Sequence, residues 1–281
     1  MTEFIKNTND KNIGQSSSQN PGWSGSGVPT LKKTAYKTLQ SVKSNILKRN
    51  FKLLVNNLQT NLLNLYVFTL KTNKKEVFCP CCKWTGPGFI ATCNEVRITR
   101  NSKCPICDSR SRHRGLHILI PNLLENKNHD LLFFAPEKIL IETLNNDLKQ
   151  LNIKTTDYYS SDVDFPNEDI QNLSFPNKSF NYILCNHVIE HVPNDNLAFK
   201  EISRILKDNG KAIITIPGDY HLNKIIEFKQ TDSNGHFRHY GKDVVKKIEL
   251  HFKKVESIDM NSVTKPKFKV RKNDFVFICY K

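Results

Sequence analysis

The sequence has no run of about 20 apolar residues, so we expect no membrane-spanning helix. Its first residues, Met-Thr-Glu-Phe-Ile-Lys, lack the basic region and the apolar region of a secretory signal. We therefore expect a soluble cytoplasmic protein, either free or peripheral to a membrane. At 281 residues the chain is long enough for one domain of ordinary size and a smaller module.

Acidic residues are scarce in the front part of the chain. Residues 31–114 hold 17 Lys and Arg against only Glu76, Glu95 and Asp108, and so carry a charge of +14. The whole chain carries +15 and residues 1–30 are neutral, which leaves +1 for everything after Arg114. Attraction to an anionic membrane surface or to RNA is therefore expected from residues 31–114.

Two segments precede the first cysteine. Residues 1–30 are rich in Gly, Ser and Asn and hold too few apolar groups to offset their ordering entropy, which predicts a disordered tail. Residues 31–75 show apolar residues at helical spacing together with many lysines, which predicts a basic amphipathic helical region. Such a helix can cover the domain that follows with its lysines in water, or lie on an anionic membrane or a phosphate backbone.

Cysteine is concentrated in one short stretch, because six of the eight cysteines lie between positions 79 and 107. Two Cys-x-x-Cys pairs stand there with 21 residues between them, the spacing of a four-thiolate zinc site. The predicted ligands of this structural zinc are Cys79, Cys82, Cys104 and Cys107. They belong to a predicted zinc-ribbon module over residues 76–115. Disulfides are the competing interpretation of these cysteines. Cys81 and Cys93 are left over, and Cys81 could take the place of Cys82 as a ligand.

After the cysteines, predicted strands and helices alternate, as is typical of a doubly wound α/β sheet. Strands are expected at 130–134, 156–160, 182–185, 211–216, 252–259 and 274–280, and helices at 109–124, 138–151, 195–207 and 241–250. Gly210 is expected to cap the helix over residues 195–207. The catalytic domain is assigned to residues 116–281.

Residues 169–192 form the most specific motif in the sequence. They read Asp-Ile-Gln-Asn-Leu-Ser-Phe-Pro-Asn-Lys-Ser-Phe-Asn-Tyr-Ile-Leu-Cys-Asn-His-Val-Ile-Glu-His-Val. This run resembles the class I S-adenosylmethionine (SAM) dependent methyltransferases of the type 11 methyltransferase domain, and residues 198–210 extend the resemblance. A bacterial subgroup also carries an N-terminal zinc ribbon with four cysteine ligands, an Arg-His-Arg helix start and a Phe-Ala-Pro-Glu first loop, which correspond here to residues 79–107, 112–114 and 134–137. The resemblance covers about residues 75–281 and implies a Rossmann-like, mostly parallel seven-stranded sheet.

The resemblance also implies where SAM binds. Phe134, Ala135, Pro136 and Glu137 form the loop after the first strand, and Glu137 is expected to face the methionine ammonium. Asp162 is expected to accept from the ribose hydroxyls, and Asp169 with Ile170 to frame the adenine. Cys185 and Asn186 are expected to follow the fourth strand, next to His187.

Catalysis in this class is mostly positioning, and a base is needed only for a hydroxyl or amine acceptor. The candidate bases are His187, His191 and His236; we prefer His187 because it lies nearest the predicted methyl path, whereas a structural role is the more frequent one for His191. Residues 235–241 resemble the subgroup motif Asp-His-Val-Arg-x-Tyr-Gly, with Gly235 in place of the acid. Arg238 is expected to bind an anionic group of the acceptor, the alternative being a hydrogen-bonded turn before the last helix.

One feature departs from the family at large, which has Gly-x-Gly-x-Gly after the first strand. This chain has no glycine there; Ala135 still allows close approach, but Pro136 removes a donor and Glu137 adds bulk. Because the subgroup shares the loop, it indicates a modified SAM loop more than an inactive enzyme.

Three functions follow from these patterns. The first is SAM-dependent methyl transfer to a small-molecule or glycan-type acceptor, favoured by the nearly neutral back half of the chain. The second is RNA methylation, with the zinc module and Arg110, Arg112 and Arg114 contacting the RNA. The third is a non-catalytic binding protein on a methyltransferase scaffold.

Overall fold

The computed structural model describes residues 51–70, 73–94 and 96–281. The predictions for residues 1–30 and for the first half of the helical region, residues 31–50, lie outside these residues. The chain divides into two compact units. The first ends at Arg114 and also includes Lys265–Lys269, and the second consists of Gly115–Thr264 and Val270–Lys281.

As far as the structure describes it, the first unit contains one helix and two small antiparallel ribbons. Helix α1 spans Phe51–Leu70. Strand β1 (Val77–Phe78) pairs with β2 (Thr85–Gly86), and β3 (Ile90–Cys93) pairs with β4 (Ile98–Lys103). The buried apolar residues between the ribbons are Val77, Cys79, Phe89 and Cys104. Such a core is very small, so the unit needs another source of stability.

Helix α1 packs on β3 through its polar side. Asn64 makes two hydrogen bonds with the backbone of Ala91: its Nδ2 donates to the carbonyl at 3.1 Å and its Oδ1 accepts from the amide at 2.8 Å. The buried residues of the helix are Thr60 and Asn64, whereas six of its large apolar side chains are exposed and the others are partly buried. These exposed residues are Phe51, Leu58, Leu62, Leu65, Tyr66 and Leu70. Across the described ranges, no helix combines the length and the apolarity that crossing a bilayer requires.

Arg114 is fully buried in the first unit. Its guanidinium donates to the carbonyls of Phe268 at 2.7 Å, Ser109 at 2.7 Å, Asn101 at 3.0 Å and Lys269 at 3.2 Å. It also stacks on the ring of Phe89, 4.0 Å from the centroid. Burial lowers the pKa of this guanidinium from its usual value. The prediction that Arg114 contacts RNA is therefore wrong, because its donors are committed to the protein backbone.

The second unit is a seven-stranded sheet flanked by helices. Helix α2 (Ser111–Leu123) carries the chain into it. The remaining strands are β5 (Asp130–Phe134), β6 (Asn152–Asp157), β7 (Phe165–Pro166), β8 (Phe180–Asn186), β9 (Leu206–Thr215), β10 (Ile226–Glu227), β11 (Arg238–His239), β12 (Lys254–Asp259) and β13 (Phe275–Tyr280). The helices are α3 (Lys138–Asp147), α4 (Asp195–Ile205) and α5 (Val244–Glu249).

The order of strands in the sheet is β12-β13-β9-β8-β5-β6-β7. The five strands from β9 to β7 are parallel, and β13 lies antiparallel between β9 and β12. Strands β10 and β11 form a separate two-stranded ribbon. The predicted α/β class with a mostly parallel, seven-stranded Rossmann-like sheet is confirmed.

Several predicted element ends differ from the structure. The helix predicted to end at residue 151 ends at Asp147, and the strand predicted over residues 156–160 is β6, which ends at Asp157. Gly210 does not cap a helix, because β9 begins directly after α4 and contains it. A Cβ at Gly210 would lie 2.8 Å from the carbonyl oxygen of Lys207 and 3.0 Å from that of Asn181, so close backbone approach requires the glycine.

Candidate functional site

The crevice between β5 and β8 is where the sheet changes its winding direction. From β5 the chain passes through α3 to β6 on one side, and from β8 it passes through α4 to β9 on the other. In open α/β sheets, ligands bind beyond the carboxyl ends of the strands at such a switch point. The site is therefore expected around the residues that follow β5 and β8.

Both of those residues have a left-handed backbone. Ala135 follows β5 with a φ of 47°, and His187 follows β8 with a φ of 58°. Residues with a Cβ rarely adopt this conformation, and such strained residues cluster at functional sites. The amide of Ala135 donates to the carbonyl of Thr156 at 2.8 Å, and that of His187 to the carbonyl of Thr215 at 2.9 Å. Hydrogen bonds to neighbouring strand ends thus hold both turns.

A chain of polar side chains crosses the carboxyl edge of the sheet. The hydroxyl of Thr215, at the end of β9, donates to Oδ1 of Asn186, at the end of β8. Nδ2 of Asn186 donates in turn to Oε2 of Glu137, directly before α3. Thr215 and Asn186 are buried and Glu137 is partly exposed. A carboxylate is thereby oriented at the crevice, next to the turn of Ala135.

Three predicted cofactor residues have their side chains in the hydrophobic core. Phe134, Ile170 and Cys185 all belong to the buried cluster of the second unit. Cys185 does not follow the strand as predicted, because β8 continues to Asn186. Burial raises the pKa of its thiol well above the usual value. Cys185 is fully buried, so it is placed as a core residue and not as a cofactor contact.

The acidic residue at the end of β6 is Asp157, not Asp162. Oδ1 of Asp157 accepts from the amides of Tyr159 at 2.7 Å and Ser160 at 2.8 Å, which forms the turn that ends the strand. Asp162 lies five positions further on and is exposed. In doubly wound folds the acid that binds a ribose follows the first turn by about 20 residues, which favours Asp157.

Asp169 is held by a neighbouring amide. Its Oδ1 accepts from the backbone and the side-chain amide of Gln171 at 2.9 and 3.1 Å, and the Gln171 side chain in turn accepts from the amide of Asn194 at 2.9 Å. The Asp169 side chain is partly exposed. It is therefore an oriented acceptor near the start of α4. Pro136, also predicted to contact the cofactor, lies partly exposed in the first loop.

His187 and His236, the first two predicted catalytic residues, belong to one cluster of polar groups. Nδ1 of His187 lies 3.4 Å from Oε1 of the buried Glu190, and Nδ1 of His236 lies 3.3 Å from Oδ2 of Asp232. The rings of His191 and His236 contact each other edge to face, with centroids 4.9 Å apart. Burial lowers the pKa of His236 from its usual value. Of these histidines, His187 is the one whose own backbone forms the strained turn at the crevice.

Arg238, the third predicted catalytic residue, is committed to the protein. Its guanidinium is 3% exposed and donates to Glu227 at 2.8 Å and to the carbonyls of Val192 at 3.0 Å and Pro193 at 2.6 Å. It also donates to the hydroxyl of Tyr240 at 3.3 Å. That hydroxyl donates to Asp195 at 2.9 Å. The prediction that Arg238 binds an anionic group of the acceptor is therefore not supported. The side chain instead stabilises a hydrogen-bonded turn, which was the alternative interpretation.

The four predicted metal ligands come together in the first unit. The thiol groups of Cys79, Cys82, Cys104 and Cys107 lie within 4.8 Å of one another. The Sγ atoms of Cys79 and Cys107 are 3.6 Å apart, and those of Cys82 and Cys104 are 3.7 Å apart. All eight cysteines are free. These separations are far longer than a disulfide bond and match a tetrahedron of thiolates at about 2.3 Å from zinc, whose edge is about 3.8 Å.

The two cysteine turns share one backbone geometry. In the first, the amide of Lys83 donates to the carbonyl of Cys79, and the amide of Cys79 donates to the carbonyl of Trp84. In the second, the amide of Asp108 donates to the carbonyl of Cys104, and the amide of Cys104 donates to the carbonyl of Ser109. Lys83 and Asp108 both have a positive φ, at 63° and 59°. The repeated turn presents two sulfur atoms from each side of the cluster.

The two spare cysteines, Cys81 and Cys93, lie outside the four-sulfur cluster, although the side chain of Cys81 also interacts with Cys79. Sγ of Cys81 donates to the carbonyl of His113 at 3.8 Å, and Sγ of Cys93 donates to Oδ1 of Asn57 at 3.4 Å. Neither belongs to the four-sulfur cluster.

Several site residues carry no signal in the sequence. Thr215 and Glu190 are ordinary residues at a strand end and in a short turn, and their importance depends on partners far along the chain or on burial that one sequence does not reveal. Asp157 is missed because the predicted strand extends beyond it. A sharper signal is present there, since Asp followed by Tyr-Tyr-Ser-Ser resembles a turn start.

The sequence profile of a methyltransferase domain family matches residues 134–214. No protein of curated function matches the chain in sequence. Among solved structures, the chain is similar to an N1-methyltransferase of Burkholderia thailandensis bound to 1,6-didemethyltoxoflavin and S-adenosylhomocysteine, at 12% identity and a TM-score of 0.46 over 61% of this chain and 78% of that one. It is also similar to the PH0226 protein of Pyrococcus horikoshii, at 21% identity and a TM-score of 0.44 over 61% and 90%.

A third similar structure is phosphoethanolamine N-methyltransferase 2 of Haemonchus contortus in complex with SAM. It is 17% identical, with a TM-score of 0.40 over 56% of this chain and 39% of that one. The family match begins at the last residue of β5 and ends within β9. Residues 134–214 thus carry a methyltransferase-domain sequence on a Rossmann-like sheet.

Proposed function

We propose that this protein transfers a methyl group from SAM to a small-molecule or glycan-type acceptor. The observation that carries the proposal is the extent of the methyltransferase-domain match, residues 134–214. That segment begins at the first strained turn and includes the second, so it encloses both sides of the switch-point crevice.

The residues around the crevice fit SAM. The left-handed turn of Ala135 lets the backbone approach the methionine end, as a glycine would in the usual loop. Glu137, oriented by Asn186, faces the ammonium group. Asp157 accepts from the ribose hydroxyls, in preference to Asp162, and Asp169 accepts from the adenine amino group. Each role matches a charged or hydrogen-bonding group of the cofactor with an oriented partner.

The protein's own contribution is positioning and proton transfer. SAM supplies an electrophilic methyl group on its sulfonium sulfur. The crevice would hold the acceptor close to that methyl group, and positioning of this kind supplies much of the rate enhancement of such transfers. His187, held by its strained backbone and by Glu190, takes the proton from a hydroxyl or amine acceptor.

The charge distribution favours a small acceptor over RNA. Residues 115–281 carry only +1, and Arg238 in that region has its guanidinium buried against protein acceptors. In the front region, Arg114 is likewise unavailable to phosphates. An RNA methyltransferase would need exposed cations around its pocket.

Calorimetric titration of the full chain with SAM tests the cofactor assignment. We expect saturable binding, with S-adenosylhomocysteine competing for the same site. Absence of heat at millimolar SAM would contradict both enzymatic functions and leave the non-catalytic binding protein as the remaining function.

Incubation with radiolabelled SAM tests the acceptor class. We expect label in a nucleic-acid-free extract of small molecules and glycans, and none in mixed total RNA. Label in the RNA fraction, together with RNA affinity that falls steeply with salt, would favour the RNA function instead.

We further propose that Cys79, Cys82, Cys104 and Cys107 bind a structural zinc ion. The separations between their sulfur atoms support it, and a unit with so small a core needs such a ligand to fold. Four thiolates leave no open coordination position, so this zinc takes no part in the methyl transfer.

We also propose that α1 contributes to association with an anionic membrane surface. The support is its row of exposed apolar side chains, which follows a segment rich in lysine. The full chain should sediment with vesicles that contain anionic lipid and less so with neutral ones, and Leu58→Gln with Leu62→Gln should weaken this. Equal sedimentation with and without anionic lipid would contradict the proposal.

A further inference from the structure

Glu190 is a buried carboxylate that the proposed methyl transfer leaves largely unexplained. It lies in a short turn, Ile189–His191, between β8 and α4, and its side chain is 1% exposed. Among the described residues, neither of its oxygens has a donor in hydrogen-bonding geometry. A buried carboxyl group whose oxygens make no hydrogen bond is costly, so such a group points to a missing ligand.

Three imidazoles stand around this carboxylate: that of His187, with Nδ1 3.4 Å from Oε1, and those of His191 and His236. Glu190, His191 and His236 each offer one ligand atom, and these atoms all lie within 4.8 Å of one another. Nε2 of His191 is 3.8 Å from Oε1 of Glu190. The ring centroids of His191 and His236 are 4.9 Å apart, close to the separation of about 5 Å for two imidazoles that share one ion at about 2.0–2.1 Å.

The second nitrogen of each ring is already oriented. Nδ1 of His191 lies 3.3 Å from the carbonyl oxygen of Gly235, and Nδ1 of His236 lies 3.3 Å from Oδ2 of Asp232. An Nδ1 proton donated to a carbonyl or carboxylate leaves Nε2 as the ligand nitrogen, which is the usual outer arrangement of metal-bound histidines. A backbone hydrogen bond joins the segment of Glu190 and His191 to that of His236, because the amide of Phe237 donates to the carbonyl of Glu190 at 2.9 Å.

We propose that Glu190, His191 and His236 bind a divalent transition-metal ion. Two imidazoles and one carboxylate form a ligand set for zinc, cobalt or iron(II), and three protein ligands leave positions open to a further oxygen or nitrogen donor. The site is thus distinct from the closed cysteine cluster in both ligands and coordination.

A competing set of ligands shares one histidine with this site. Asp232, His236 and His239 also lie within 4.8 Å of one another. Oδ1 of Asp232 already accepts from the amides of Asn234 at 2.8 Å and His236 at 3.0 Å, and its other oxygen faces His236. Asp232 is therefore better placed to orient His236 than to bind the ion itself.

Titration with cobalt(II) of the full chain loaded with a single equivalent of zinc tests the site, because that zinc occupies the four-thiolate cluster and leaves the proposed second site empty. We expect one further equivalent of cobalt to bind, with visible d–d absorption and without the thiolate-to-cobalt charge-transfer band. Glu190→Gln and His191→Ala should each weaken this binding at least 10-fold, and Asp232→Asn by about 10- to 100-fold through the orientation of His236.

His239→Ala is the matched control and should bind cobalt like the unaltered chain. Since His191 is 44% exposed, its alanine variant should keep the fold, which circular dichroism checks. Three results would overturn the proposal: no second equivalent of cobalt, an unchanged isotherm in Glu190→Gln, or loss of binding in His239→Ala. SAM calorimetry on the same variants shows separately whether the cofactor site is intact.

Discussion

At the scale of single residues, two backbone conformations define the proposed cofactor site more sharply than any side chain does. Ala135 and His187 both have a left-handed backbone at the carboxyl ends of adjacent parallel strands. For a residue with a Cβ, this conformation costs roughly 1–2 kcal/mol. The surrounding hydrogen bonds to Thr156 and Thr215 must offset that cost.

Ala135 gives a direct test of the first turn. Ala135→Val places a β-branched residue at a positive φ, so we expect lower thermal stability and SAM binding weakened at least 10-fold, which corresponds to about 1.4 kcal/mol. Ala135→Gly, the matched control, relieves the strain and should bind SAM at least as well as alanine does. Calorimetry and thermal denaturation measure both effects, and equal SAM affinity in the valine variant would contradict the proposed role of the turn.

The two candidate ribose acids can be separated by a pair of substitutions. Asp157→Asn removes the charge but can keep the turn, because its Oδ1 still accepts from the amides of Tyr159 and Ser160. We expect SAM affinity to fall roughly 10-fold, whereas Asp162→Asn, in an exposed loop, should change it less than about twofold. The reverse order in calorimetric affinity would restore Asp162 as the ribose acceptor.

At the scale of elements, the sequence predicts which elements exist better than where they end. Strand β5 is predicted with its observed ends, because a short apolar run begins directly after the polar residues His129 and Asp130 and is followed closely by Pro136. Strand β6 is predicted too late, because Tyr158 and Tyr159 favour strands locally although both are exposed beyond its end. The register with β5, from Asp130 opposite Asn152, decides that strand, and such a distant pairing is not visible in one sequence.

Side-chain direction at the site is equally hidden from the sequence. The predicted strand ends bring the correct segments to the crevice, as Ala135, Glu137, Asn186 and His187 show. Cys185 nevertheless belongs to the buried core, whereas the next residue, Asn186, makes a hydrogen bond to Glu137 at the crevice. Sequence periodicity locates the edge of a sheet, but a shift of one residue reverses which side chains face the ligand.

The loop before β8 is anchored by an ion pair on α4. Arg204 donates to the carbonyls of Leu173 at 3.0 Å and Phe175 at 2.7 Å, and Glu201 accepts from Arg204 and from the amide of Leu173 at 2.8 and 2.9 Å. The guanidinium lowers the pKa of the Glu201 carboxyl. The stabilisation that ionised Glu201 provides is therefore fully present above the pKa that this carboxyl has in the unfolded chain. It is lost as the pH falls through the lower pKa of the folded protein.

Glu201→Gln should accordingly destabilise the second unit by about 1–2 kcal/mol at neutral pH. Because the glutamine does not titrate, the difference from the unaltered chain should shrink as the pH falls below about 4, near the usual pKa of glutamate. Urea unfolding across this pH range measures it. Glu249→Gln, at an exposed position of α5, is the control; a difference that stays constant down to acid pH would contradict the assignment.

At the scale of the whole molecule, the two compact units draw their stability from different sources. The second has a large hydrophobic core around its sheet. Among its described residues, the first buries only a few apolar side chains beside its cysteines, and its α1 is attached to β3 through the polar Asn64. Arg114 adds hydrogen bonds to five backbone carbonyls there, but it cannot replace a core. We therefore expect the first unit to depend on its metal, whereas the second does not.

Zinc removal should consequently unfold one unit and spare the other. Structural zinc contributes on the order of 10 kcal/mol to folding in small domains, more than so small a core supplies. Cys82→Ser, which removes a sulfur 3.7 Å from that of Cys104, should lower the bound zinc by one equivalent and change the fluorescence of Trp84, which packs in the cysteine core. The thermal transition of the second unit should persist.

Cys81→Ser is the matched control, because Cys81 is adjacent in sequence but bonds to the carbonyl of His113 outside the sulfur cluster. This variant should keep its zinc and its Trp84 fluorescence. If Cys81→Ser lost the metal and Cys82→Ser kept it, the ligand assignment would be wrong by one residue. If a strong chelator removed zinc without changing the fluorescence of either, the first unit would owe its fold to packing that its few buried apolar residues do not explain.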